Sequence, residues 1–353
     1  MPFVNKEEFL RPNGLTIWLN GGAGSGKTLQ GMTFPKVMII TFDPTGTDVL
    51  RQPENQKYIQ NLVHHVPLNG VPLNEVFQFT EKPSETSIYG ALALARQLGP
   101  LGEKRIETVF LDGFNYLATL KWTQICESKG VVWTEKQAMD RKESDQRGWY
   151  DALGSYLDHL VLQNLLPLAT RDRLNIVVSS HVQRESKNTI EGIQGTSSKT
   201  LELANASKRQ VNLDSDLSPQ VLGSFRQRIA GLPSAMIYLE DRLEQATEAD
   251  VKRNPSLKVG SEIVNYYAYC RRTRSESLDT VILAKNRFGL GTLRLTNGNL
   301  YKTIISKIAS SNTNTPAQAT TPESKPAERR ERPEQPDRPD QPAPQTTRQA
   351  KGA

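Results

Sequence analysis

The sequence predicts an α/β fold: a mostly parallel sheet flanked by helices, with a late β-hairpin and a disordered C-terminal tail. Three observations carry that expectation. Short apolar runs rich in β-branched residues alternate with helical patterns, as in chains that wind a parallel sheet. The first such run, residues 15–19, opens directly into a glycine cluster followed by a helical stretch. Residues 309–353 contain no Ile, Leu, Val, Phe, Met, Tyr or Trp, so that stretch has nothing with which to build a core.

The elements follow in order. Residues 15–19 read as a buried strand, and a short helix over 27–33 has to stop before Pro35. A second strand spans 37–42, with turn chemistry at its end in Asp43-Pro44-Thr45-Gly46. Residues 50–83 are ambiguous, with an edge strand near 62–66. Ser84 is positioned to cap a helix bearing Ile88, Leu92 and Leu98. A third strand, 108–111, ends at Asp112, and residues 122–148 read as polar and irregular. Trp149, Leu153, Leu157, Leu160 and Val161 make an amphipathic helix that Pro167 ends or kinks. Residues 175–180 form a fourth strand with His181 at its end. A long polar segment, 183–218, precedes a fifth strand at 235–239. Residues 263–272 and 280–285 read as a late β pair, followed by 293–295.

This organisation divides the chain into one domain over 1–308 and a tail over 309–353. The tail holds eight of the 21 prolines, with seven basic and six acidic side chains, the composition of a mixed-charge disordered tether. No run of about 18 apolar residues exists, which excludes a membrane-spanning helix and a membrane partner. The N-terminus carries Glu7 and Glu8 and no apolar signal core, so a cytoplasmic location is expected. Cys126 and Cys270 alone make no disulfide framework, and His64, His65, His159 and His181 lack metal-ligand spacing. The net charge of +6 is a mild bias toward nucleic acid.

The strongest chemical signal is Gly21-Gly22-Ala23-Gly24-Ser25-Gly26-Lys27-Thr28, with Leu29 following. Two glycines flank four residues before a Lys and a Thr, the pattern of a phosphate-binding loop. Glycines let the backbone wrap a phosphate with its N–H groups turned inward. Lys27 then supplies charge to the β- and γ-phosphates, and the Thr28 hydroxyl ligates Mg²⁺. The pattern therefore implies a bound nucleotide with Mg²⁺.

Five further positions are candidates. Asp112, closing the run Val109-Phe110-Leu111, would hold the metal through water; otherwise it starts a turn with Gly113. No glutamate follows it to activate water. Asp43 is placed to do that instead, if the strand ends share one crevice, or it is a turn residue before Pro44. His181 would touch the γ-phosphate or simply bond to a turn. Lys285 and Arg287, two residues apart at a strand end, are either a finger pair for a neighbouring subunit or a solvated hairpin end.

Together with Phe34-Pro35-Lys36, Asp43-Pro44-Thr45-Gly46, Ser180-His181 and Lys285-Asn286-Arg287-Phe288-Gly289, the loop resembles the compact phage-encoded RecA-like P-loop ATPases. That group comprises AAA-family ATP-binding proteins and Sak-type recombination and annealing proteins. The resemblance spans roughly 12–300. It implies a RecA-like core, Mg-ATP hydrolysis, single-stranded DNA as a partner, and a place in the host cytoplasm. It puts Asp43 in the role of the RecA-type catalytic glutamate, one methylene shorter. It puts His181 where RecA proteins sense the γ-phosphate with a glutamine. It makes Lys285 and Arg287 a pair acting across the interface of a homo-oligomeric ring or filament. The tail is an expected tether for a single-strand-binding protein.

The resemblance implies DNA contacts from the loops after the third and fourth strands, 122–148 and 183–218, whose acidic residues leave solvated loops as the alternative. These carry Lys136, Arg141, Lys142, Arg147, Arg184, Lys187, Lys199, Lys208 and Arg209, with Trp133 for base stacking and Arg271-Arg272-Thr273-Arg274 as a denser cluster. The alternatives are a helicase- or packaging-type DNA motor, a P-loop small-molecule kinase, and a nucleotide switch that hardly turns over.

Overall fold

The computed structural model describes residues 13–99, 105–129, 143–190, 211–220, Phe225, 232–253, 255–275, 280–282, 284–295 and 299–313. Strand β1 (Thr16–Gly21) leads into the phosphate loop and helix α1 (Lys27–Gly31). Strands β2 (Val37–Thr41) and β3 (Leu62–Pro67) follow, then helix α2 (Ile88–Leu98). Strand β4 (Thr108–Asp112), helix α3 (Phe114–Ser128), helix α4 (Glu143–His159) and strand β5 (Asn175–Ser180) complete the first half.

Strands β8 (Ala235–Gln245), β9 (Glu262–Tyr269), β12 (Lys285–Asn286) and β13 (Thr292–Arg294) extend the same sheet, after β6 (Val182–Ile190) and β7 (Val211–Pro219) have left it. The main sheet runs β13-β9-β8-β1-β5-β4-β2-β3, with β12 also on β8. From β8 to β3 every neighbouring pair is parallel, and β9 and β12 pair antiparallel with β8.

The central strands are apolar in almost every position because both faces are covered. Trp18, Met38, Ile40, Val109, Leu111, Ile176 and Val178 face α2, α3 and α4. Ile17, Leu19, Val37, Ile39, Phe110 and Val177 face the other way, packed with Met32 and Phe34 behind α1 and with Leu300 and Ile304 of the last helix, Leu300–Thr313. That last helix crosses the expected boundary at 308/309. Its first turn is tied to the end of α1: Leu300 N–H donates to Gln30 Oε1 at 3.1 Å and Tyr301 N–H to Thr33 Oγ1 at 3.3 Å. Residues 314–353, and with them all but the first five residues of the expected tail, lie outside the described residues.

Several expectations need correction. Ser87, not Ser84, caps α2: its hydroxyl accepts from Gly90 N–H at 3.0 Å, while Ser84 accepts from Thr86 N–H in the preceding turn. The stretch read as irregular from 122 begins inside α3, whose buried stripe Phe114, Leu117, Ala118, Trp122 and Cys126 keeps helical spacing. Pro167 does not end its helix but lies just past an interruption in it. Residues Leu160–Leu165 widen into a π-helical turn before it, and Leu166–Thr170 continue as α-helix. The wider turn accommodates a ring that has no N–H to donate backward.

The polar segment 183–218 contains two strands, not a loop. β6 and β7 pair antiparallel from Val182↔Pro219 to Ile190↔Val211, and residues 191–210 lie outside the described residues. The late β pair is also rearranged. β9 pairs with β8 and β13, whereas Thr280–Ile282 (β11) pairs with Thr273–Ser275 (β10) and with β7 in a separate four-stranded sheet. Partner choice between strands is a long-range matter that a local apolar pattern does not encode.

Candidate active site

The carboxyl ends of β1, β2, β4 and β5 open on one cleft of about 280 Å³, where an open α/β sheet places its ligands. Lys27, Thr28, Asp43, Asp112 and His181 all line it, with Ala23, Gly24, Gly26 and Leu29 of the loop. The resemblance and the strand-end argument thus bring together the same residues.

The loop has a shape that side chains would spoil. A Cβ on Gly21 would sit 2.5 Å from Leu239 O on the neighbouring strand. Gly26 holds a left-handed backbone, φ +82°, and a Cβ there would meet the Tyr266 ring at 3.3 Å. Ser25 Oγ closes the loop on Gly22 O at 2.9 Å. Lys27 is folded back on the loop: its Nζ donates to Gly21 O at 3.1 Å and Gly22 O at 2.6 Å. Burial lowers its pKa to about 8, against the opposing pull of Asp112, Asp43 and Asp241.

Asp112 is almost fully buried and closes the far side of the loop. Its Oδ2 accepts from Thr28 Oγ1 at 2.9 Å and its Oδ1 from Ser179 Oγ at 2.5 Å. Ser179 Oγ in turn accepts from Gly113 N–H at 2.9 Å. Burial raises the Asp112 pKa above the usual carboxylate range, and the two hydroxyls oppose that rise only in part. Such a carboxylate gains from a cation close by.

Asp43 sits at the end of β2, next to β4 in the sheet. Its Oδ1 accepts from Thr45 N–H at 2.9 Å and Thr45 Oγ1 at 3.1 Å, so it forms the turn that the sequence allowed. It also lines the cleft, and its charge acts on Lys27, Asp112, His181 and Tyr116. The two readings of Asp43 are compatible. One carboxylate oxygen fixes the turn, and the other carries no described hydrogen bond.

His181 follows β5. Its backbone N–H donates to Asn115 Oδ1 at 3.2 Å, and its ring meets Tyr116 edge-on with centroids 6.0 Å apart. Burial first, then the nearby Lys27 charge, lowers its pKa from the ordinary histidine value. The neutral ring therefore dominates at neutral pH, able to donate and accept at once.

Lys285 and Arg287 are elsewhere. Lys285 lies opposite Met236, and Arg287 N–H donates to Ser234 O at 3.1 Å, where β8 begins. The loop leaves the sheet beyond Gly21, which lies opposite Leu239 at the other end of that ladder. About 10 Å or more of strand separates the pair from the loop of its own chain. Of the basic residues considered for DNA, Lys136, Arg141, Lys142, Lys199, Lys208 and Arg209 lie outside the described residues, as does Trp133.

Five cleft residues escaped the sequence reading: Ser179, Asn115, Tyr116, Val49 and Tyr266. The first could have been found from strand pairing. Leu111 lies opposite Val178, so the next residues, Asp112 and Ser179, come side by side. Tyr266, on β9, is 240 positions from Gly26 and carries no local signal.

The donor set fits Mg-ATP. Among the described residues no three His, Cys, Asp or Glu side chains gather into a metal cage. Mg²⁺ in phosphate-loop sites needs none, because it takes one hydroxyl, one carboxylate, phosphate oxygens and water. Thr28 and Asp112 supply that hydroxyl and that carboxylate. When bound, the ion would offset phosphate charge and polarise the bond to be broken.

Among the described residues no helix is long and apolar enough to cross a membrane. No curated protein matches the chain. A family model described as an AAA domain matches residues 13–220, more than half of the chain. With the loop, the carboxylate behind it and the parallel sheet that aims both, the chain belongs to the AAA domain family, as a RecA-like P-loop nucleoside triphosphatase.

Proposed function

We propose that this chain hydrolyses ATP and acts on single-stranded DNA in recombination, annealing or replication. The observation that carries hydrolysis is the position of Asp43, on the cleft wall within electrostatic reach of both Lys27 and Asp112. Lys27 would leave its carbonyl partners for the β- and γ-phosphates. Asp43 would orient the attacking water and take its proton, and His181 would touch the γ-phosphate from the β5 side.

The DNA half rests on the resemblance and on connectivity. β6 leaves the sheet immediately after His181, so a change at the γ-phosphate would move the root of the β6–β7 ribbon. Arg184 and Lys187 lie on β6. Mild net positive charge suits phosphate contacts. An assembly of copies completes the reading. Lys285 and Arg287, remote from their own loop, would reach the cleft of a neighbour in a head-to-tail ring or filament. The tail as a tether for a single-strand-binding protein rests on composition alone.

The test is phosphate release with and without single-stranded DNA. Stimulation by DNA, falling steeply with salt, supports the reading. ATP turnover indifferent to DNA removes the DNA half, and turnover that requires a small-molecule acceptor makes the chain a kinase. Mixing Lys27→Ala with Arg287→Ala tests the assembly. Each alone should be inactive, and the mixture should regain activity through interfaces that join an intact loop to an intact finger.

A further inference from the structure

The cleft has two chemically different ends. Lys27, Asp43, Asp112 and His181 are charged or polar, and the last three come from the strands on one side of β1. On the other side of β1, beyond β8, β9 brings in Tyr266. It stands opposite Asp241 on a stretch of the β8–β9 ladder that runs on past the loop. Leu29 and Val49 line the same cleft, and with Tyr266 they continue the apolar cluster beneath α1. All three are half-buried. With the γ end of a triphosphate held by Asp112 and Asp43 on the β2–β4 side, the rest of the ligand would run past Lys27 and Thr28 toward Leu29 and the apolar end.

We propose that Tyr266 is the nucleobase platform of this site: its ring takes the base by its face, with Leu29 and Val49 completing the apolar wall. The inference rests on the nucleotide-binding reading above and adds to it how the nucleoside part is recognised. Three features support the platform. The ring already lies against Gly26, so its place relative to the phosphates is fixed. It stands on a strand paired on both sides, by β8 and β13, so little ordering is lost on stacking. Burial, with the Asp241 charge, raises its pKa, which keeps the phenol neutral and the ring a better stacking surface than a phenolate beside phosphates.

Base–aromatic stacking is lost roughly 5- to 150-fold in affinity when the ring is removed. The experiment compares two ligands, Mg-ATP and Mg-tripolyphosphate, by titration calorimetry on the full chain. Tyr266→Ala should weaken ATP by that factor and leave tripolyphosphate within about twofold. Tyr266→Phe should bind both as the unaltered chain does. Equal losses for both ligands would mean that the ring only props the loop, and an unchanged ATP affinity would mean that the base lies elsewhere; either overturns the platform. If the unaltered chain binds tripolyphosphate as tightly as ATP, the platform fails while the phosphate loop stands. If it binds neither, the nucleotide reading itself fails.

Discussion

Thr28 and Asp112, 84 positions apart in sequence, are joined by a 2.9 Å hydrogen bond from Oγ1 to Oδ2 across the floor of the cleft. The bond shows that the hydroxyl from the loop and the carboxylate from β4 already converge on one point. A metal ion binding there would find two protein oxygens in place. The cost is a buried carboxylate whose charge is disfavoured, and that cost gives the first prediction.

Asp112→Asn should separate function from stability. Turnover should fall by at least about 10²-fold, since the metal loses its carboxylate. The melting temperature should hold or rise. A carboxyl whose folded pKa is raised destabilises the fold while ionised, and that penalty is present at neutral pH and fades as pH drops through the raised value. The amide oxygen still accepts from one hydroxyl, and the other hydroxyl can turn to accept from the amide N–H. A variant that melts many degrees lower would contradict this account of Asp112.

Asp43→Asn isolates the charge of the other carboxylate. Asn keeps the turn to Thr45, because its side-chain oxygen accepts as the carboxylate does. ATP binding should stay near normal while turnover drops roughly 10²- to 10⁴-fold, the usual worth of a positioned base. Single-turnover kinetics separate the two. A fully active Asp43→Asn would leave the turn as its whole role.

The pH profile reports Lys27. With its pKa lowered to about 8, the ammonium is present below that pH and lost above it. kcat/KM reflects the free protein, so it should decline as pH rises through about 8. kcat should decline later, because bound phosphate raises the lysine pKa again. A kcat/KM that is flat from roughly pH 7 to 9.5 would contradict the buried, carbonyl-bound state of Lys27.

Much of this site was legible because its groups sit at the ends of short, doubly buried strands. The runs before Gly21, Asp43, Asp112 and His181 are apolar enough to be seen alone, and the loop needs no context. What was missed depends on partners far away. The segment 183–218 looks like a loop because β6 and β7 are polar, paired with each other outside the main sheet. Lys285 and Arg287 are, from sequence, either a finger pair for a neighbouring subunit or a solvated strand end, and the register with Met236 puts them away from their own loop, which agrees with both. The cap was misplaced by three residues because Ser84 and Ser87 have the same local chemistry. What separates them is that Ser87 is buried, with its hydroxyl on Gly90 N–H.

That difference is measurable. Ser87→Ala should cost about 1 kcal/mol, the usual worth of a helix cap, and lower the melting temperature by roughly 2 °C. Ser84→Ala should cost less, because its bonds lie in an exposed turn. Equal costs, or the reverse order, would restore Ser84 as the cap.

The most direct test of the account is steady-state phosphate release from Mg-ATP by the unaltered chain and by Lys27→Ala. The Lys27 charge would stabilise the phosphoryl group as it transfers, whereas the loop backbone holds its shape through Gly21, Ser25 and Gly26. The account predicts measurable turnover that falls by orders of magnitude in Lys27→Ala, with the melting temperature nearly unchanged. No turnover by the unaltered chain, with DNA present or absent, or equal turnover by the two proteins, would contradict it.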